Sequence, residues 1–163
     1  VTTDDLIAAH TTAWSDDERA ALRTVVASLR PSARHLTDML DWLDDIAARD
    51  GTRAGAVLAE PELTAALRSG SSAPERLKHW KERLRRLRYP RLAARERALD
   101  DAIRRLALGT AITLAPPADL EGGVLTVTIR ARSSDELAAA VECLRERLAR
   151  GDVERLFALL DEA

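Results

Sequence analysis

The chain is short of nearly every residue type that marks a specialised class. It has a single cysteine, Cys143, which excludes a disulfide framework and a multi-cysteine zinc site. Aromatic residues make up only 3%, and seven glycines and six prolines are few for 163 residues. An all-β sandwich, which needs aromatic, β-branched and turn residues in quantity, is therefore excluded. No run of about 18 apolar residues occurs, so no membrane-spanning helix is expected. No basic stretch followed by an apolar block opens the chain, so no secretory signal is read and a cytoplasmic location is expected. Lysine occurs only as Lys78 and Lys81, against 25 cationic residues in all. With abundant Ala and Leu, that arginine preference reads as a GC-rich bacterial genome, and arginine content alone does not point to phosphate binding.

Signatures of catalysis are also missing. There is no Walker loop, no dinucleotide fingerprint and no nucleophile elbow. His10, His35 and His79 are scattered and have no metal-ligand spacing to one another. Cys143 lies next to Leu144 in an amphipathic segment and reads as a packed apolar thiol rather than a nucleophile. Asp38, Asp41 and Asp45 share one helical face beside Asp44, a pattern that fits an exposed acidic face better than a metal site. No catalytic residue, metal, cofactor or small-molecule substrate is assigned, and the chain is not expected to be an enzyme.

The sequence is 46% hydrophobic and 32% charged, enough apolar matter for a core and too little bias for disorder. A short helix is read over Asp4–His10. Ser15 with Glu18 forms a capping box that opens the next, whose apolar face is Leu22, Val25, Val26 and Leu29. Pro31 forces a break. A third helix, 32–49, carries Leu36, Met39, Leu40, Leu43 and Ile46, with Trp42 at its edge. Two weaker turns cover 52–59 and 61–67, and the loop Ser69-Gly70-Ser71-Ser72 is the expected seam between a helical half, 1–70, and a second domain, 73–163. A second capping box, Ser72 with Glu75, opens a helix to about Arg88, and after Pro90 another runs from Arg91 to Leu108.

The hydrophobic period then changes from 3.6 to 2. Segments 110–114 and 124–132 read as strands joined into a hairpin by a link containing Pro116-Pro117 and Gly122-Gly123. Ser133 with Glu136 forms a third capping box and opens a helix carrying Leu137, Val141, Leu144 and Leu148, and a last helix, 152–160, carries Leu156, Leu159 and Leu160. The fold class is therefore α+β and predominantly α-helical: a helical N-terminal half, then helix–helix–β-hairpin–helix–helix. Two strands alone are marginal in water and leave two unpaired edges. Either residues 1–72 cover them or a second copy does, and Val124, Leu125, Val127 and Ile129 are the candidate dimerisation residues.

The segment LGTAITLAPPADLEGGVLTVTIRARSSDELAAAVECL, within residues 103–148, resembles the C-terminal dimerisation domain of ParB-type chromosome-partition proteins. That domain is also a helix, a hairpin opened by a Gly-Thr pair, and a helix starting Ser-x-Glu-Leu. The resemblance implies dimerisation, and in the family also DNA binding without sequence preference. The hairpin here, however, is acidic and proline-bearing (Asp119, Glu121) instead of lysine-rich, and nothing here matches the family's nucleotide-binding and helix-turn-helix domains. Dimerisation carries over better than DNA binding.

Charge is laid out in blocks. Residues 1–75 carry 7 basic and 13 acidic side chains, residues 76–105 carry 12 and 4, and the remainder 6 and 10. Lys78, Lys81, Arg85 and Arg88 line one flank of the helix beside the stripe Leu77, Trp80, Leu84 and Leu87, and Arg91 and Arg95 extend the series. Glu82–Arg86, Asp100–Arg104 and Asp101–Arg105 have partners at i,i+4, whereas the Lys78–Arg88 flank has none in its own helix. The flank is a solvated face or docks on the acidic first half, or it lies along a nucleic-acid backbone, or it meets an acidic protein or membrane surface. The expected function is a non-catalytic, self-associating module, a homodimer or a subunit of a larger assembly. The alternative is a nucleic-acid-associated protein.

Overall fold

The computed structural model describes residues 2–70 and 72–161; Val1, Ser71, Glu162, Ala163 and the Asp119 side chain lie outside it. The chain forms two compact units, 1–90 and 91–163. Its architecture is the predominantly helical α+β class with one hairpin that the sequence pattern predicts. Among the described residues, no helix is long and apolar enough to cross a membrane.

The first unit is helical: α1 (Thr3–His10), α2 (Asp16–Leu29), α3 (Ala33–Asp50), α4 (Ala54–Leu58), α5 (Pro61–Leu67) and α6 (Ala73–Arg88). Capping boxes open α1 at Thr2–Asp5 and α2 at Ser15–Glu18. Glu75 accepts from both the backbone N–H and the hydroxyl of Ser72 at the start of α6. Each box satisfies amide donors that a bare helix end leaves unpaired. Arg30 stops α2 in the left-handed region (φ 49°), and Pro31 bars its continuation. Helix α3 packs on α1, α4 and α6, and α2 packs on α4, α5 and α6. Leu22, Leu36, Met39, Leu43, Leu63, Trp80 and Leu84 are fully buried between them. Each such side chain contributes about 1.5–3 kcal/mol on leaving water.

Glu18 ties this unit together. Its carboxylate accepts from Arg53 Nε at 3.1 Å and Nη2 at 2.9 Å, and from the backbone N–H of Ser15 at 2.8 Å and Gly55 at 3.1 Å. Those donors, Arg53 first, hold its carboxyl down to about 2 in spite of its burial.

The unit boundary differs from the sequence-based one at residues 69–72. The stripe of α6 is buried in the same core as α2, α3 and α5, so α6 belongs to the first unit and the change falls at Pro90. A polar loop marks where a chain turns, and only packing marks where a core ends.

The second unit contains α7 (Pro90–Leu106), β1 (Ile112–Ala115), β2 (Thr126–Ile129), α8 (Ser134–Ala149) and α9 (Glu154–Asp161). The strands are antiparallel, with Ile112 opposite Ile129 and Leu114 opposite Val127. Both are shorter than their alternating patterns predict. Gly122 and Gly123 hold the chain in the left-handed region (φ 86° and 62°) before β2, and Ser133 turns it into α8 just after. The link between the strands carries a 3₁₀ turn, Ala118–Leu120, whose Leu120 is buried in the core with Leu99, Leu106, Ile112, Leu114, Leu156 and Leu160. The Ser133 hydroxyl accepts from the Glu136 amide as predicted, but the Glu136 carboxylate reaches back to the Arg132 N–H.

Candidate functional site

The basic flank of α6 is not the bare ladder of the sequence pattern. Lys81 Nζ lies 2.9 Å from Asp38, and Arg88 lies 2.6 Å from Asp45. Arg85 pairs with Glu82 at 3.1 Å, within α6 itself. The hydrogen bond from Lys81 holds the Asp38 carboxyl below its usual range, and that from Arg85 does the same for Glu82. The expectation that the Lys78–Arg88 flank has no partner in its own helix is corrected at Arg85, while Lys81 and Arg88 dock on the acidic first half, as one of the expected arrangements has it. Lys81 and Arg88 face the acids of α3, because the turns of α6 that bury Trp80 and Leu84 set this side of it against that helix. Lys78 alone of the four is exposed without such a pair.

The two pairs across α3 and α6 have the same sequence separation, 43 residues. A constant offset means that the helices run in the same direction. Trp42 sits between the pairs, with Lys81 Nζ 5.2 Å and the Arg88 guanidinium 5.5 Å from its ring centre, and Arg88 also lies 5.1 Å from the Tyr89 ring. Beside them, Trp42, Leu77, Lys78 and His35 help to line an open cleft of about 650 Å³. Arg91 and Arg95 lie outside the first unit. They belong to the second unit, where Arg91 is exposed and Arg95 Nη2 donates to the carbonyls of Leu159 and Leu160 at 3.1 and 3.3 Å, closing the end of α9.

Counted by unit, the charge blocks cancel. Residues 1–90 carry 14 basic and 14 acidic side chains, and residues 91–163 carry 11 and 13. Asp101 pairs with Arg104 rather than Arg105, while Glu82 keeps its expected partner Arg86 at 3.1 Å. The acidic face of α3 is engaged as well: Asp44 lies 3.0 Å from His10 and 3.3 Å from the Trp14 indole nitrogen. Among the described residues, no group of three His, Cys, Asp or Glu side chains has the geometry to hold a metal ion.

The second unit presents apolar surface instead. Val124 is 66% exposed, Leu148 54%, Val141 50%, Leu137 47%, Val127 44% and Phe157 42%. Of the candidate dimerisation residues, Val124 and Val127 are thus open, whereas Leu125 and Ile129 are half-buried against the core. Cys143 is half-buried, less enclosed than its sequence setting predicts.

The hairpin also has open backbone. Among the described residues, β1 and β2 pair only with each other. The Arg130 N–H donates to the Ala111 carbonyl at 2.8 Å, which makes that opposed pair a hydrogen-bonded one. Alternation along an antiparallel ladder then turns the amides of Val127 and Ile129 away from β1, toward the free edge. The exposed Val127 side chain and the outward-facing amides of Val127 and Ile129 therefore lie on one strand.

No protein-family model matches the chain, and no curated protein and no solved structure matches it either.

Proposed function

We propose that this chain is a non-catalytic interaction module that associates with a second copy of itself through residues 91–163. The observation that carries the reading is the pairing of an open β2 edge with large exposed apolar side chains in the same unit. A free edge rich in β-branched residues invites strand pairing, and the exposed large apolar side chains of the unit add apolar surface that a partner would cover. The size of the unit supports the reading. A core in 73 residues is small, and small cores gain most from association. Dimerisation is also what a resemblance to the ParB-type C-terminal domain implies. The test is the mass of the full chain by light scattering at low micromolar concentration. A dimer or larger species is expected, and a monomer throughout the micromolar range would overturn the reading.

The alternative, a phosphate-backbone contact through α6, is disfavoured by the ion pairs of Lys81 and Arg88, whose acids a phosphate would have to displace. A salt-sensitive gel shift abolished by Lys81→Glu with Arg85→Glu would establish it, and no shift at low salt would remove it.

A further inference from the structure

Helix α8 carries an apolar stripe that its own unit leaves largely uncovered. Leu137, Val141, Leu144 and Leu148 follow a 4-3-4 spacing, the a/d pattern of a paired helix. Three of them are about half exposed, Leu144 is half-buried against the core of its own unit, and Ala140 is the buried residue of the whole helix. A core-facing helix of a globular unit shows the reverse, with its largest apolar residues inside.

The stripe is complementary to itself. Laid antiparallel against a second α8 about a two-fold axis between residues 142 and 143, Leu137 falls opposite Leu148 of the second copy, and Val141 falls opposite Leu144. All four layers close in that one register, as a two-fold interface requires.

Charge selects the same direction. The first turn of α8 is acidic, with Asp135 and Glu136, whereas Arg147 and Arg150 stand at its far end, beyond Arg145, which pairs with Glu142 of the same helix. A parallel pair would bring like charges and like helix dipole ends together, and an antiparallel pair brings acid to base. Arginines gather there, although Glu142 pairs with Arg145 and Glu146 also stands on this part of the helix. A cleft of about 430 Å³ there is lined by Arg105, Arg147, Arg150 and Arg155, with Asp152, 3.7 Å from Arg147, as its acidic residue.

We propose that α8 is the self-association helix, taking α8 of a second copy in antiparallel register, with the partner's acidic first turn beside the arginine-lined end. This rests on the self-association reading above and selects the helix over the strand edge as its principal contact. Four apolar layers make a short seam, so association in the micromolar range is expected.

Sedimentation velocity on the full chain tests this with two variants, each first checked for unchanged helical circular dichroism. Val141→Glu places a charge in the seam, and Val127→Pro removes an outward-facing amide from β2. The expected outcome is a dimer for the parent and for Val127→Pro, with the dissociation constant of Val141→Glu raised at least about tenfold. A dimer that survives Val141→Glu and is lost in Val127→Pro overturns the helix pairing and leaves self-association at the strand edge. A parent that stays monomeric overturns both. Direction is read by oxidation in a Cys143→Ser background: Leu137→Cys mixed with Leu148→Cys is expected to give the disulfide between the two variants. Disulfides of each variant with itself, in preference, would mean a parallel pair and overturn the register.

Discussion

Lys81 Nζ and Asp38 Oδ2 lie 2.9 Å apart, bridging α6 and α3 at partly buried positions, and Arg88 repeats the contact with Asp45 two helical turns on. These two rungs align helices that are separated in the chain by α4 and α5. They also consume cations that would otherwise be free for an anionic partner.

A double-mutant cycle of Asp38→Asn and Lys81→Met should give a coupling of about 0.5–1 kcal/mol, because Asp38 keeps substantial contact with water. Urea melts at low and high salt check this, and the coupling is expected to shrink as salt rises.

Glu18 sets an acid limb of stability. Its carboxyl is held at about 2, below the ordinary 4.5, so its contribution is complete above pH 4.5 and fades as pH falls from there toward 2. Glu18→Gln should cost on the order of 2 kcal/mol at neutral pH and flatten the pH dependence in that window. Gly55→Ala should act on the same residue. A Cβ there would lie 2.7 Å from Glu18 Cγ, in a side chain held by its hydrogen bonds, so alanine should destabilise despite its better helix propensity. Denaturant midpoints across pH read both.

Trp80 is fully buried, and among the described residues its indole N–H has no hydrogen-bond partner. Trp80→Phe removes that unsatisfied donor while keeping most of the ring, so it should lie within about 1.5 kcal/mol of the parent. Trp80→Ala should cost about 3–5 kcal/mol, since no neighbour can fill the space. Thermal melts of the pair separate packing from hydrogen bonding at this position.

Arg30 holds a left-handed backbone conformation that costs a side-chain-bearing residue about 1 kcal/mol. Arg30→Gly should raise the melting temperature by a few degrees. A fall would show that the arginine side chain supports the α2 terminus.

Local rules made much of this fold readable. The capping boxes at Ser15 and Ser72, the stripe Leu77, Trp80, Leu84 and Leu87, and the change of period after Gly109 each rest on neighbouring residues and are present in the structure. Which surfaces meet was harder. Asp38 and Asp45 stand seven residues apart, as do Lys81 and Arg88, so a matched spacing was there to see. Their meeting depends on how α4 and α5 return the chain, which no local pattern encodes. Trp42 reads as an edge residue from its own helix, and its cationic neighbours come from another. The stripe on α8 looks the same in sequence whether its cover is intramolecular or a second copy, and only its exposure separates the two.

The cores themselves also part cleanly in the chain: the first draws on residues up to Leu87, the second begins at Leu92, and Pro90 stands between. A recombination breakpoint at that proline would sever no apolar cluster, and Tyr89, the residue just before it, caps the end of α6. The two apolar cores are thus separable along the chain, each closed within its own stretch of sequence.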